Sequence, residues 1–383
     1  MSFYLSKRPE GSPVLPPQPD PGGITHGEQL TINDVGPWKL QNVAKGAESL
    51  DVVPVPGRGF WILDTPAEYA PTGAYVANNL ASNKGGIVPA GGVTIDGFAL
   101  PAGTVVCQFR DLSGADFSAH VGGTYLFRGC RFRQNGVGDP SQFNDFNATY
   151  TNYLHYCDMG GLSAADVDAD APFWKSIGGV GHRVLRCYMT YEKVALQPNV
   201  HDFQILENYI DKITWFWGAA GPPGGGGPNH TAAIGCEGGI HGLRIMRNRI
   251  VIPSPDDAAR VIENGATVAM EGTGSDVPYS DCQIVDNYVA GANYAFLLFG
   301  EDPGQTNLVV TGNKVTTQWW TNGGISGPLQ AGPFPVPWGS NGNVKSNNTW
   351  ADDYGTGGTG SGTPLSSRQF PAGNGPRKGT IAF

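Results

Sequence analysis

Apolar and polar positions alternate along short stretches in the middle of this chain. Between residues 231 and 237, Ala232, Ile234 and Cys236 are predicted to point into a core. Thr231, Gly235 and Glu237 are predicted to point outward. A period of two is typical of a β-strand with one buried face. The pattern therefore predicts short, half-buried strands.

This alternation belongs to a longer internal repeat. Residues 194–210 (VALQPNVHDFQILENYI) align without a gap over residues 234–250 (IGCEGGIHGLRIMRNRI), so that His201 meets His241. The end of the repeat recurs several times, as in CQIVDNYV and LVVTGNKV, and one fixed position of each ending is asparagine or cysteine. We predict that these residues form one structural ladder, made of Cys130, Cys157, Cys187, Asn208, Asn248, Asn287, Asn313 and Asn348.

A short constant unit with insertions of variable length is what a parallel β-solenoid requires, because each coil completes one circuit while loops leave at its corners. We predict about eight coils over residues 96–350. We predict that residues 1–27 form a proline-rich extended arm, residues 28–95 a small N-terminal cap or joining region, and residues 351–383 a glycine-rich linker and tail.

Composition narrows the fold and the partners. The 383 residues include 57 Gly and 30 Pro, which disfavours a helical bundle. A net charge of −9 argues against nucleic acid as a partner, and the lack of an unbroken apolar run near 18 residues argues against membrane insertion. The six cysteines form no CxxC pair, so we expect buried free thiols, no metal site and no cofactor. The N-terminus lacks the apolar core of a signal peptide.

The coil endings ENYI, RNRI, DNYV and GNKV resemble those of the right-handed parallel β-helix, or pectin-lyase-like, superfamily. More narrowly, PDPGGITHGEQLTINDVGPWKL followed by GGVTIDGFALPAGTVV and GGTYLFRGCRF resembles the β-helical minor tail proteins of phages that infect actinobacteria. This resemblance implies a right-handed coil and a virion component at the tail tip that meets the host surface.

One face of the predicted solenoid carries candidate catalytic residues. The alignment predicts an outward column of Gln197, Glu237, Glu271 and Phe299, with His241 just beyond the next corner. Two carboxylates on neighbouring coils are the arrangement of an acid paired with a base or nucleophile in glycoside cleavage. These residues either form a catalytic centre or are solvated side chains on the outer face of a strand.

Aromatic clusters favour sugar binding instead. Adjacent residues of a strand point to opposite faces, so at least one ring of each tryptophan cluster is expected to be exposed and able to stack on a sugar. Packing of these rings under the long Gly-Pro loops is the alternative. The candidate ligand-binding residues are Trp215, Trp217, Trp319, Trp320, Trp338 and His230.

Two functions follow from these observations. The first is a structural tail-tip protein that binds other tail proteins through its N-terminal arm and binds host cell-envelope polysaccharide. The second is a virion-associated polysaccharide depolymerase, either hydrolase or lyase. A homotrimer is compatible with either function.

Overall fold

A computed structural model describes residues 38–41, 60–63, 88–108, 112, 123–134, 143–145, 150–161, 174–176, 181–190, 194–198, 200–211, 232–237, 239–251, 266–271, 278–290, 294–299, 304–316, 327–330 and 336–351. Within these residues the protein is all-β, with 28 strands and no helix. The predicted arm and C-terminal tail lie outside the described residues, as does most of the predicted cap.

The strands are short, as the glycine and proline content predicts. In chain order they are β1 (Trp38–Gln41), β2 (Phe60–Leu63), β3 (Val93–Ile95), β4 (Phe98–Leu100), β5 (Val105–Gln108), β6 (Gly123–Arg128), β7 (Arg131–Gln134), β8 (Phe143–Asp145), β9 (Tyr150–His155), β10 (Asp158–Gly161), β11 (Trp174–Ser176), β12 (Arg183–Leu185), β13 (Tyr188–Thr190), β14 (Val194–Pro198), β15 (Gln204–Leu206), β16 (Tyr209–Asp211), β17 (Ala232–Glu237), β18 (Arg244–Met246), β19 (Arg249–Val251), β20 (Ala266–Glu271), β21 (Gln283–Val285), β22 (Tyr288–Ala290), β23 (Tyr294–Phe299), β24 (Val309–Thr311), β25 (Lys314–Thr316), β26 (Gly327–Gln330), β27 (Val344–Ser346) and β28 (Thr349–Ala351).

Three parallel sheets contain 24 of these strands. The nine-stranded sheet has the order β27-β24-β21-β18-β15-β12-β9-β6-β5, the eight-stranded sheet β28-β25-β22-β19-β16-β13-β10-β7, and the seven-stranded sheet β26-β23-β20-β17-β14-β11-β8. From β6 onward the chain visits the three sheets in turn, and each strand pairs with the strand three places later. The long parallel sheets are compatible with a parallel β-solenoid.

One hydrophobic core draws side chains from all three sheets. Ile205 of the nine-stranded sheet, Ile210 of the eight-stranded sheet and Leu196 of the seven-stranded sheet are fully buried in the same cluster. Because all three sheets contribute to one interior, residues far apart in the chain stabilise each other by burial of apolar surface.

Two corners recur, and each contains a residue with positive φ. Between the nine- and eight-stranded sheets this residue immediately precedes the ladder position, as with Glu207 (φ 56°) before Asn208. Between the seven- and nine-stranded sheets it is Asp202 (φ 59°) or Gly242 (φ 77°). A single left-handed residue bends the chain sharply from one sheet into the next, and asparagine, aspartate and glycine tolerate this conformation best.

The predicted alternation in β17 holds only in part. Ile234 and Cys236 lie in the main core, but Ala232 packs in a separate cluster with Leu297. Ala233 and Ile234 are consecutive core residues, which breaks the period of two. The register of β14 with β17 gives partners for Ala232 and Ile234 but none for Ala233. The alternation of inward and outward side chains is therefore interrupted at Ala233.

Candidate functional site

The two candidate carboxylates occupy adjacent positions in the seven-stranded sheet. Glu237 ends β17 and Glu271 ends β20, and the two residues are partners in the parallel register. Phe299 follows at the same level in β23. Neighbouring strands lie about 4.8 Å apart, so the two backbones bring the carboxylate-bearing positions close together. The positions of the carboxyl groups themselves lie outside the described part of the chain.

Gln197 does not belong to this column. The register pairs Val194 with Ala232 and Leu196 with Ile234, which places Gln197 two residues before the level of Glu237. The prediction that Gln197 stacks on Glu237 was therefore wrong. The two repeats come back into step at the following corner, where the main-chain N–H of Asp202 donates to the carbonyl of His241.

His241 lies on an exposed corner between the seven- and nine-stranded sheets. Its main-chain N–H donates to His201 Nδ1 at 3.1 Å, and the two rings lie 6.3 Å apart in an edge-to-face arrangement. Its own Nδ1 is 3.1 Å from Ser280 Oγ and 3.2 Å from Asp281 Oδ2. The His241 and Asp281 side chains are 52% and 42% exposed.

These contacts limit the chemistry available at His241. A catalytic triad needs the serine and the carboxylate on opposite ring nitrogens, whereas Ser280 and Asp281 contact the same nitrogen. The contacts instead form a polar corner strip, which we define as His201, His241, Ser280, Asp281 and Asn307. Asn307 Nδ2 donates to Asp281 Oδ1 at 2.8 Å. The members of the strip lie at successive turns of this corner, and each turn is hydrogen-bonded or ion-paired to the next.

Of the six predicted ligand-binding residues, Trp338 lies within the part of the chain that the structure describes. Its ring is partly buried and packs against the main core, and Lys345 Nζ lies 5.6 Å from the ring centroid. This packing leaves less of the ring available for sugar stacking than the sequence suggests. The remaining five, Trp215, Trp217, Trp319, Trp320 and His230, lie outside the described residues.

The asparagine column is a continuous chain of hydrogen bonds inside the core. From the second member onward, each asparagine Oδ1 accepts the main-chain N–H and the side-chain Nδ2 of the preceding asparagine at 2.8–3.0 Å. Each Nδ2 also donates to a main-chain carbonyl of the preceding strand level at 2.9–3.0 Å. The members are Asn208, Asn248, Asn287, Asn313 and Asn348, all at most 3% exposed.

Cysteines continue the same column toward the N-terminus. The main-chain N–H of Cys187 donates to Asn208 Oδ1, and that of Cys157 donates to Cys187 Sγ at 3.3 Å. Cys130 Sγ–H donates to the carbonyl of Cys107 at 3.5 Å. Burial raises the pKa of Cys157 well above its usual value, and the neighbouring Cys187 raises it further. None of the six cysteines forms a disulfide bond and all six are buried, which fits a structural role for these thiols.

Sequence reasoning missed a buried polar cluster around Asp96. This residue forms the turn of the antiparallel β3–β4 hairpin together with Gly97, so the hairpin spans the predicted boundary between residues 95 and 96. Arg128 Nη2 and Nε donate to the Asp96 carboxylate at 2.9–3.1 Å, and His155 Nδ1 lies 2.9 Å from Asp96 Oδ2. The Asp96 and His155 side chains are 1% and 0% exposed.

The electrostatics of this cluster favour an ionised Asp96. Burial opposes its charge, but the hydrogen bonds and charges of His155 and Arg128 outweigh burial and lower the pKa of Asp96 to about 2. In the sequence, the Asp96-Gly97 pair between the short apolar stretches VTI and FAL indicates the hairpin turn. Its partners, 32 and 59 residues away in sequence, had no local signal.

A second unpredicted network lies at the corner that precedes the ladder. Glu207 accepts from Arg186 Nε at 2.8 Å on one side and pairs with Arg247 at 3.1 Å on the other. Arg186 also donates to the Tyr156 hydroxyl at 2.6 Å. Burial would lower the pKa of Arg186, but Tyr156 and Glu207 together raise it above its usual value. Charges therefore alternate in sign along this column, which stabilises the stacking of the corners.

Among the described residues, no group of three or more histidine, cysteine or acidic side chains is arranged to hold a metal ion. The same part of the chain contains no helix with the length and apolar character needed to cross a membrane. Comparison with known proteins found no match to a family model, to a curated protein or to a solved structure.

Proposed function

We propose that this protein is a structural minor tail protein of an actinobacteriophage that binds host cell-envelope polysaccharide at the tail tip. In this proposal the three parallel sheets are a right-handed β-helix of about eight coils, since parallel crossover connections are almost always right-handed. The resemblance of PDPGGITHGEQL and GGVTIDGFALPAGTVV to such proteins supports the assignment.

The observation that carries the binding role is the polar corner strip on a rigid scaffold. The interior is fixed by a hydrogen-bonded asparagine column, while His241, Asp281 and Asn307 lie at successive turns of one exposed corner. Donors and acceptors at a spacing of about 4.8 Å suit the repeated hydroxyl groups of a glycan chain. Rigid presentation also lowers the entropic cost of binding.

Binding is tested with purified actinobacterial envelope polysaccharide and the full chain in isothermal titration calorimetry. The double variant H241A/N307A should bind at least about tenfold more weakly, because it removes hydrogen-bonding groups from two levels of the strip. Asp286→Asn changes an exposed acid at the other corner and serves as the control, with unchanged affinity. Equal affinity of all three proteins would remove the strip from the proposal.

A depolymerase is the second candidate, and the register of Glu237 with Glu271 is the observation that favours it. In this function one carboxyl group protonates the glycosidic oxygen and the other attacks the sugar or activates water. The assay is the release of reducing ends or unsaturated products from the same polysaccharide. If the wild-type protein releases products and a folded Glu271→Gln variant does not, the protein is a depolymerase. If the protein binds the polysaccharide without releasing products, the binding function alone is supported.

In this proposal, residues 1–27 bind other tail proteins, and the protein is located in the virion. Deletion of residues 1–27 should prevent incorporation into particles while polysaccharide binding persists. Sedimentation equilibrium of the full chain tests the homotrimer. A monomer that still binds polysaccharide would separate assembly from recognition.

A further inference from the structure

The β3–β4 hairpin lies against the outer face of the nine-stranded sheet and spans several of its strands. Phe98 packs with Leu185 of β12 and Leu206 of β15. At the turn, Asp96 reaches Arg128 of β6 and His155 of β9. Phe98 directly follows the turn, so apolar contacts and a buried ion cluster together hold the turn end of the hairpin on the sheet.

His155 is neutral in this closed arrangement. The ionised Asp96 carboxylate only accepts hydrogen bonds, so His155 Nδ1 carries the proton and donates to it. The opposite nitrogen, Nε2, is buried and has no hydrogen-bond partner. A second proton would create an N–H donor at Nε2 with no acceptor, in a fully buried ring.

The charged surroundings also oppose a second proton. The titratable and charged groups that face His155 in the described residues are Asp96 of the hairpin, Arg128 of β6, Arg183 of β12 and Tyr153 of its own strand. Burial lowers the pKa of His155, and the two arginines lower it further, against the opposing effect of Asp96. The Phe98 ring, 5.7 Å away, adds an apolar wall.

We propose that the β3–β4 hairpin is an acid-released clasp, because a doubly protonated His155 is compatible only with the hairpin lifted off the sheet. Once the hairpin lifts, water reaches His155 and the ring takes up a proton below its ordinary pKa of 6.5. Acid therefore favours the open form. The clasp links the residues that precede the hairpin to the sheet, so its release frees that connection without unfolding the core.

The clasp makes a quantitative prediction about its opening constant. Proton uptake only in the open form raises this constant about tenfold for each pH unit below 6.5. Asp96 contributes nothing until the pH approaches its unfolded value of 3.8. The window from pH 6.5 to 4.5 therefore isolates His155 from Asp96.

Hydrogen exchange of the full chain between pH 7 and 4.5, corrected for the intrinsic exchange rate, measures this constant. Amides of residues 93–100 should lose protection about tenfold per pH unit, whereas those of residues 244–250 should not change. In His155→Asn the amide nitrogen still donates to Asp96, and the pH dependence should vanish. A flat profile in the wild-type protein, or an unchanged slope in His155→Asn, would overturn the clasp.

If the His155→Asn variant does not fold, a second measurement on the wild-type chain tests the proposal. Histidine side-chain NMR should show the His155 ring without a second proton for as long as the closed form predominates, and protonated only at a pH where the hairpin is open in most molecules. Titration of His155 while the hairpin remains protected would equally exclude the mechanism.

Discussion

Replacement of Asn248 by alanine should destabilise the protein by about 3–5 kcal/mol. The Asn248 side chain makes four hydrogen bonds: Oδ1 accepts twice from Asn208, and Nδ2 donates to the Ile205 carbonyl and to Asn287 Oδ1. Each of these hydrogen bonds contributes about 1 kcal/mol net. The substitution also leaves the buried Asn208 N–H without its acceptor, which costs about 1–3 kcal/mol more. Relaxation of the structure around the new alanine offsets part of this loss.

The chain supplies its own matched control for this substitution. At the equivalent position Cys187 accepts the N–H of Cys157 and donates to the Leu154 carbonyl at 3.4 Å. Asn248→Cys should therefore keep two of the four hydrogen bonds and lose about 2 kcal/mol.

Urea unfolding followed by circular dichroism measures both changes, with a constant slope as the check that the same surface unfolds. Two results would refute the reasoning: an alanine variant within about 1 kcal/mol of wild type, or a cysteine variant less stable than the alanine variant.

Three further predictions concern the clasp, the thiols and the corners. Asp96→Asn should cost about 3–5 kcal/mol in urea unfolding, because it leaves the Arg128 guanidinium buried without its charge partner and weakens the hydrogen bond that His155 donates. Since the folded pKa of Asp96 is about 2 against 3.8 unfolded, its contribution is present above pH 3.8 and is lost as the pH falls through 2, a change of about 2 kcal/mol that the variant lacks. Native protein should react with a thiol reagent only after denaturant is added, because Cys157 and its companions are buried; rapid labelling of the folded chain would contradict this. Gly242→Ala should destabilise by more than about 1 kcal/mol beyond Gly103→Ala in the same assay, because both have positive φ but only at Gly242 would the new methyl group meet the Asp202 carboxylate.

Most of the fold could be predicted from the repeat endings. A buried asparagine after a left-handed residue is a strong constraint, so the spacing of Asn208, Asn248 and Asn287 predicted which residues become neighbours. The all-β class followed from the same alternation and from the glycine content. The number and hand of the coils remain part of the proposal.

The error at Gln197 shows what periodicity cannot resolve. A shift of two residues leaves every side chain on the same face, so the apolar pattern of β14 fits β17 equally well in either register. Only the strand pairing of Leu196 with Ile234 distinguishes them. The Asp96 cluster was missed for another reason, since its charged residues looked like ordinary surface positions until a hairpin covered them.

The asparagine column also restricts how such a chain can change in length. Consecutive members are separated by 40, 39, 26 and 35 residues, yet every link has the same geometry, so loops of any size fit between them. Gain or loss of a whole interval, from one asparagine to the next, rejoins the column without a broken link. Gain or loss of a single residue inside a strand instead shifts the register of that circuit, and the shift has to be taken up before the next asparagine, as it is between β14 and the corner after β17. The molecule can therefore grow or shrink in steps of one circuit, and evolution can adjust its reach without redesigning its interior.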